Sequence, residues 1–378
     1  MSDDLNHSEG TTSEEQVAPD ITPAHSPESE DTSSDVPIDQ PLDGPETKDA
    51  LTVESESVPA PSIEGLPLCG FVTEKNEGKG EDSEPIEFIW EYETGKRTLL
   101  AVFDGMGGAG SRKVPDINNP DKTVSMAYLA SRAARGAVIE ACKQVTPKMQ
   151  PVEIVEVISQ HIQKFLQRLV NREGGMPENK FRGKMIKDYP TTVAIAIIEE
   201  GESRHVHMMW AGDSRVYAIW PDQEFLLQQL TLDHTESGAS SDGGDAALTR
   251  CATPDSVDLE YLSIEVPRDA MVFVATDGCF AYESTQFFLT TLIEQLDRSV
   301  DQEQYSKHLA EALSVVAGDD CSMAMSFPPS IDFEITKTTL QKHLRNLQDI
   351  RNVPRNNPFI AFSSGEFFLK HLKRISGE

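Results

Sequence analysis

Two pairs of consecutive helices interrupt an otherwise strand-rich sequence, and that order limits the fold more than any single motif. Residues 122–144 and 151–172 have helical periodicity. Ala127, Ala130, Ala134 and Val138 recur on one face of the first, and Ile154, Ile158, Ile162, Phe165 and Leu169 on one face of the second. A further pair falls at about 283–297 and 301–316. Ahead of the first pair, residues 86–92 and an apolar stretch ending at Phe103 read as strands joined by a turn over 93–96. Short strands at 192–198, 205–211, 215–220, 225–230 and 270–276 separate the pairs, and 321–327 follows the second. Strict alternation would predict a doubly wound sheet, whereas paired helices predict an α+β fold with antiparallel sheets. Residues 329–378 read as a C-terminal helical appendage, with a helix near 336–350 and a capping box at 363–366.

Composition sets the outer boundaries. Residues 1–65 hold 17 Asp or Glu, one Lys and no aromatic residue, and are rich in Ser, Thr and Pro. Such a segment buries too little apolar surface to offset its ordering entropy, so it is expected to be a disordered acidic tail, solvated or binding a basic partner. It supplies −16 of the formal charge of −30. The remainder carries no basic stripe, which argues against nucleic-acid binding. No stretch is long and apolar enough to span a membrane, and the acidic start does not read as a secretory leader. Five scattered cysteines (69, 142, 251, 279 and 321) suggest neither a disulfide framework nor a zinc site, so a cytoplasmic setting is expected.

Acidic residues stand at three strand ends. Asp104 follows 99–103 and leads Gly105-Met106-Gly107-Gly108; Asp277 follows 271–275 and precedes Gly278; Asp319 and Asp320 precede 321–325. Taken singly, each reads equally as a turn. Together they form an oxygen-only donor set, because clustered carboxylates stay ionised only beside a cation, and such donors select Mg²⁺ or Mn²⁺.

Six segments then occur in a telling order. They are Val102-Phe103-Asp104-Gly105-Met106-Gly107-Gly108, Thr191-Thr192, Ala211-Gly212-Asp213-Ser214-Arg215-Val216-Tyr217, Leu230-Thr231-Leu232-Asp233-His234, Ala275-Thr276-Asp277-Gly278 and Asp319-Asp320-Cys321-Ser322. Over residues 68–327 the chain resembles the metal-dependent, protein phosphatase 2C-like (PPM) serine/threonine phosphatases, in their bacterial-like branch. The resemblance implies a four-layer α-β-β-α sandwich, a phosphatase domain over 66–328, and hydrolysis of phosphoserine or phosphothreonine in proteins. It implies that Asp104 bridges two Mn²⁺ or Mg²⁺ ions with the Gly105 carbonyl on one, that Asp277 and Asp319 complete the other, and that Asp213 helps hold a third. Attack by metal-activated water would need no Cys or His nucleophile.

The chain departs from that pattern at two places. Met106 stands where many relatives have His. In 77–83, Glu81 and Asp82 fill the acidic positions of the family's first motif, adding two carboxylates to the metal site. Glu77, however, falls where a phosphate-binding Arg is expected, leaving Lys79 or Lys75 as the replacement cation. Lysine is a point charge without arginine's bidentate fork. The alternative reading is therefore a PPM-fold phosphoprotein-binding module with little turnover. The implied partners are phosphorylated proteins and an opposing kinase.

Overall fold

The computed structural model describes residues 68–93, 95–172, 187–201, 203–221, 226–236, 247–282, 284–329 and 332–351. The acidic segment 1–65, the stretch 237–246 and the capping box at 363–366 lie outside them.

Twelve strands and five helices are described. β1 (Leu68–Thr73), β2 (Ile86–Tyr92), β3 (Gly95–Val102), β4 (Lys113–Pro115) and β5 (Thr123–Ser125) precede α1 (Met126–Cys142) and α2 (Pro151–Arg172). Then come β6 (Val193–Glu200), β7 (Arg204–Ala211), β8 (Arg215–Ile219), β9 (Leu227–Gln229), β10 (Glu260–Val266) and β11 (Met271–Ala275). A 3₁₀ turn (Asp277–Cys279), α3 (Thr285–Arg298), α4 (Gln302–Val316), β12 (Cys321–Ser326) and α5 (Phe333–Arg351) complete the order.

The strands form two five-stranded antiparallel sheets, ordered β10-β7-β6-β3-β2 and β1-β12-β11-β8-β9, plus the small hairpin β4-β5. Continuous apolar runs, unusual for antiparallel strands, follow from covering both faces. In β3, Leu99 and Ala101 pack with α1 and α2, while Leu100 and Val102 face the second sheet. In β11, Met271, Phe273 and Ala275 pack with α3 and α4, while Val272 and Val274 face inward against Ala194, Ala196 and Trp210. The layers are thus α, β, β, α. Phe333, Leu340 and Leu344 place α5 in the same apolar cluster as α3 and α4.

Local chemistry sets the helix starts. The Ser125 side chain accepts from the Tyr128 amide at 3.0 Å, Ser284 from Phe287 at 3.2 Å, and Asp301 from Gln304 at 2.8 Å. Because Ser125 is the cap of α1, the helix expected from 122 begins at Met126, and 123–125 pair with β4 instead. Strands β1 and β10 were not anticipated. Both are sheet edges whose mixed, half-buried sequences lack the strong apolar signal of the central strands. All five cysteines are buried and free.

Candidate metal centre

Strand polarity brings the acidic residues to one end of the sandwich. β3 ends beside the start of β6, with Val102 opposite Ala194; β11 ends beside the start of β12, with Ala275 opposite Met323; β8 starts opposite the end of β11. The residues just beyond these ends are Asp104, Asp277, Asp319 and Asp320, and Asp213 occupies the β7–β8 connection.

Each carboxylate is held through its backbone. The Asp104 amide donates to Thr192 Oγ1 at 3.2 Å, and its carbonyl accepts from the Thr192 amide at 2.8 Å and Thr191 Oγ1 at 2.7 Å. A Cβ on Gly105 would lie 2.6 Å from the Ala127 carbonyl oxygen and 2.7 Å from that of Glu81, so only glycine lets the chain pass here. Asp277 opens the 3₁₀ turn, where its carbonyl accepts from the Phe280 and Ala281 amides at 2.9 and 2.7 Å.

The loop before β2 joins the same end. Thr276 Oγ1 donates to Asp82 Oδ2 at 2.8 Å, and the Asp82 carboxyl lies within hydrogen-bonding reach of that of Asp104. Asp320 accepts from the Lys75 amide at 2.8 Å and the Glu81 amide at 2.6 Å, pinning the loop to the start of β12. Asp319 Oδ1 accepts from the Asp320 amide at 2.9 Å. Arg132 of α1 supports the loop from below through the carbonyls of Gly80 (3.3 Å) and Glu81 (3.4 Å). Under Asp213, the buried Arg215 forms a bidentate pair with Asp233 at 2.8 and 2.6 Å. His234 accepts from the Gly212 amide and meets Glu260 at 2.8 Å, a structural placement.

Electrostatics bind the group together. Burial, reinforced by Asp82, Asp277 and Asp213, pushes the Asp104 carboxyl well above its ordinary range. Burial together with Asp213 and Asp319 lifts Asp277 to about 7. Burial and Asp233 lift Asp213 to about 6, and burial raises Asp82 and Glu81. Asp213 Oδ1 is buried without a hydrogen-bond partner. As the side chains stand, no three Asp, Glu, His or Cys among the described residues are close enough to form a ready metal cage. The fit lies in donor chemistry: crowded carboxyls and an orphaned carboxylate oxygen are what a hard divalent cation satisfies.

The structure therefore gathers Asp104, Gly105, Asp213, Asp277, Asp319, Glu81 and Asp82. Lys79 is exposed in the turn 76–79, and among the described residues its ammonium makes no hydrogen bond or ion pair to these carboxyls. The Lys75 ammonium is bonded to the Gly318 carbonyl. Sequence reasoning missed the anchoring by Asp320, Thr276 and Arg132, none of which carries a local signal apart from tertiary contact.

Linkage gives a sign. Carboxyls raised above their unfolded values stabilise the metal-free protein below about pH 4, and that contribution is lost as pH rises through about 6 to 7. Glu87, outside the site, is also raised to about 7 by burial and titrates in the same window. The site's part is therefore read as a difference. The Tm gain on adding Mn²⁺ is expected to be large at pH 7.5 and to shrink toward pH 5, as measured by scanning calorimetry. At a hundredfold excess over Kd the gain corresponds to about 2.7 kcal/mol. An equal gain at both pH values would contradict binding at these carboxyls.

A family model described as protein phosphatase 2C matches residues 87–314, a span that contains Asp104, Asp213 and Asp277 and stops short of Asp319. No curated protein matches by sequence. Among solved structures, the chain is similar to the Mycobacterium tuberculosis serine/threonine phosphatase PstP/Ppp, at 17% identity, 69% of this chain, 98% of that chain and a TM-score of 0.48. It is similar to serine/threonine phosphatase Stp1 from Staphylococcus aureus at 16%, 69%, 94% and 0.48. The catalytic domain of PstP in complex with two manganese ions gives 16%, 69%, 97% and 0.46.

Proposed function

The chain belongs to the protein phosphatase 2C family, and from that premise we propose that it is a metal-dependent phosphatase acting on phosphoserine and phosphothreonine in proteins. The observation that carries the reading is the mutually repelling set of buried Asp82 and half-buried Asp104, Asp213 and Asp277, with Asp213 Oδ1 left unsatisfied. Structural proteins seldom gather uncompensated carboxyls, because each costs desolvation energy that only a cation offsets.

In this reading Asp104, the Gly105 carbonyl, Asp277 and Asp319 would hold two Mn²⁺ or Mg²⁺ ions. Asp213 serves a third, and Glu81 and Asp82 border the group. Bound there, such ions would supply positive charge for a phosphate dianion and would acidify a water for attack on phosphorus. The chain contributes rigidity: Thr191 and Thr192 fix the Asp104 backbone, Thr276 fixes Asp82, and Asp320 fixes the Glu81 loop. Met106 supplies no proton, so in this reading protonation of the leaving oxygen falls to solvent. The domain extends over 66–328. Phosphorylated proteins and an opposing kinase are its partners, and the five free thiols support a reducing, cytoplasmic setting.

One observation favours the weaker-turnover alternative: Glu77 stands where the phosphate-binding Arg is expected, and among the described residues Lys79 makes no bond to the carboxyls. Hydrolysis of a phosphothreonine peptide separates the two. Release of phosphate is expected with Mn²⁺ and none with EDTA. Absence of turnover with Mn²⁺, with the peptide still bound, would establish the binding module.

A further inference from the structure

Beyond any bound metal ions, a side-chain cation with a free head would add a contact for an incoming anion at the carboxyl-rich end of the sandwich, and most nearby cations are engaged. Arg215 is saturated by Asp233 and Tyr217. Arg132 is spent on the carbonyls of Tyr128, Gly80 and Glu81, and its guanidinium lies 3.5 Å over the Tyr128 ring. The Lys75 ammonium is on the Gly318 carbonyl, and that of Lys187 is on Cys251 Sγ at 3.3 Å.

Lys113 differs. It opens β4, the hairpin strand between the glycine run and α1, and its Cα partner across the ladder is Ser125. Directly paired residues of an antiparallel ladder project their side chains to the same face. The Ser125 hydroxyl donates to Glu81 Oε1, and Glu81 Oε2 occupies the space that a Cβ on Gly107 would fill. Lys113 is therefore placed on the same side of the hairpin as Ser125, beside Glu81 and the glycine run. Its side chain is exposed, and among the described residues its ammonium makes no hydrogen bond or ion pair.

Resting on the phosphatase reading for its substrate class, we propose that Lys113 is the cation that contacts the phosphoryl group at this site, in place of Lys79. Approach of a phosphate dianion gives its ammonium the partner it lacks. It also draws positive charge to the rim of a strongly acidic cleft, where it offsets repulsion of the incoming anion.

Calorimetric titration of inorganic phosphate into the full-length, Mn²⁺-loaded protein tests this without requiring turnover. Lys113→Ala is expected to weaken phosphate binding about tenfold, the size of one charge-assisted contact. Lys113→Arg should retain it, and Lys79→Ala should leave it unchanged. Mn²⁺ affinity should stay constant in Lys113→Ala, because the side chain is exposed and lies outside the donor set. In p-nitrophenyl phosphate hydrolysis the same variant should raise KM about tenfold with kcat within about twofold. Equal phosphate affinity in wild type and Lys113→Ala, or no phosphate binding by the wild type, would overturn the proposal. Lys113-dependent phosphate binding without any hydrolysis would overturn the phosphatase reading and leave the role of Lys113 standing.

Discussion

Asp277→Asn is expected to abolish Mn²⁺-dependent hydrolysis, lowering kcat by a factor on the order of a thousand or more, while making the metal-free protein more stable at pH 8. The two effects have one cause. Asp277 is half-buried beside Asp213 and Asp319, and its carboxyl is raised to about 7. Without a cation, the ionised form is therefore a liability of the folded state above that pH. Moving a carboxyl from its ordinary 3.8 to about 7 costs up to about 4 kcal/mol at 1.36 kcal/mol per pH unit. Relaxation reduces that figure, so a rise of several degrees in metal-free Tm is the expected reading at pH 8. The gap should narrow as pH falls below 7 and close only below about pH 4, where the carboxyl is neutral in the unfolded chain as well. The Tm gain from Mn²⁺ should fall sharply in the variant. Loss of activity alone could follow from misfolding; loss of activity in a more stable metal-free protein could not. A variant that is inactive and less stable at pH 8 would show that Asp277 serves the fold through its charge.

Much of this end of the molecule was legible in the sequence because of how carboxylates sit in antiparallel sheets. A charged residue immediately after an apolar strand has left the core, and strands of alternating direction bring such residues from different hairpins to one edge. That logic singled out Asp104, Asp277 and Asp319, and the resemblance added Asp213, Glu81 and Asp82. The paired helices likewise specified a layered α+β fold, and the structure shows the layers α1–α2, sheet, sheet, α3–α5. What escaped detection has a common physical origin. The β4–β5 hairpin has three-residue strands, one of them ending in Pro115, and it reads as a loop; Lys113 was hidden with it. The edge strand β10 carries Glu260, Ser263 and Glu265, which dilute its apolar signal. Arg132 sits on a helix whose periodicity explains it as an ordinary polar residue, and only the folded loop beneath Glu81 gives it a task. Asp320 looks like a second copy of Asp319, yet its two backbone-amide partners lie about 240 residues earlier in the chain. Periodicity registers burial and direction. It carries no information about which loop closes on which.

Gly278→Ala is expected to have the second largest effect, and it tests whether the two acid-bearing segments must touch. An added Cβ would lie 1.7 Å from the Asp320 carbonyl oxygen, 2.7 Å from its carbonyl carbon and 3.4 Å from that of Asp319. These are backbone atoms, so no side-chain rotation relieves the contact. The 3₁₀ turn carrying Asp277 and the segment carrying Asp319 and Asp320 must move apart. Asp320 also holds the Lys75 and Glu81 amides, so the displacement would pass to the loop bearing Glu81 and Asp82. A misplacement of about 1 Å at a reacting centre can cost on the order of a hundredfold in rate, and overpacking of this kind costs roughly 1–3 kcal/mol of stability. Both losses are expected together, along with weaker Mn²⁺ binding by calorimetry. Gly136→Ala supplies the contrast. At that position in α1 the nearest atom to a new Cβ is in Phe165 at 3.7 Å, an ordinary contact. Replacing a helix-interior glycine by alanine there should stabilise by up to about 1 kcal/mol and leave hydrolysis unchanged. If Gly278→Ala keeps wild-type Mn²⁺ affinity and turnover, the two acid-bearing segments do not need the close contact to act together, and the carboxyl group tolerates far more spacing than its packing implies.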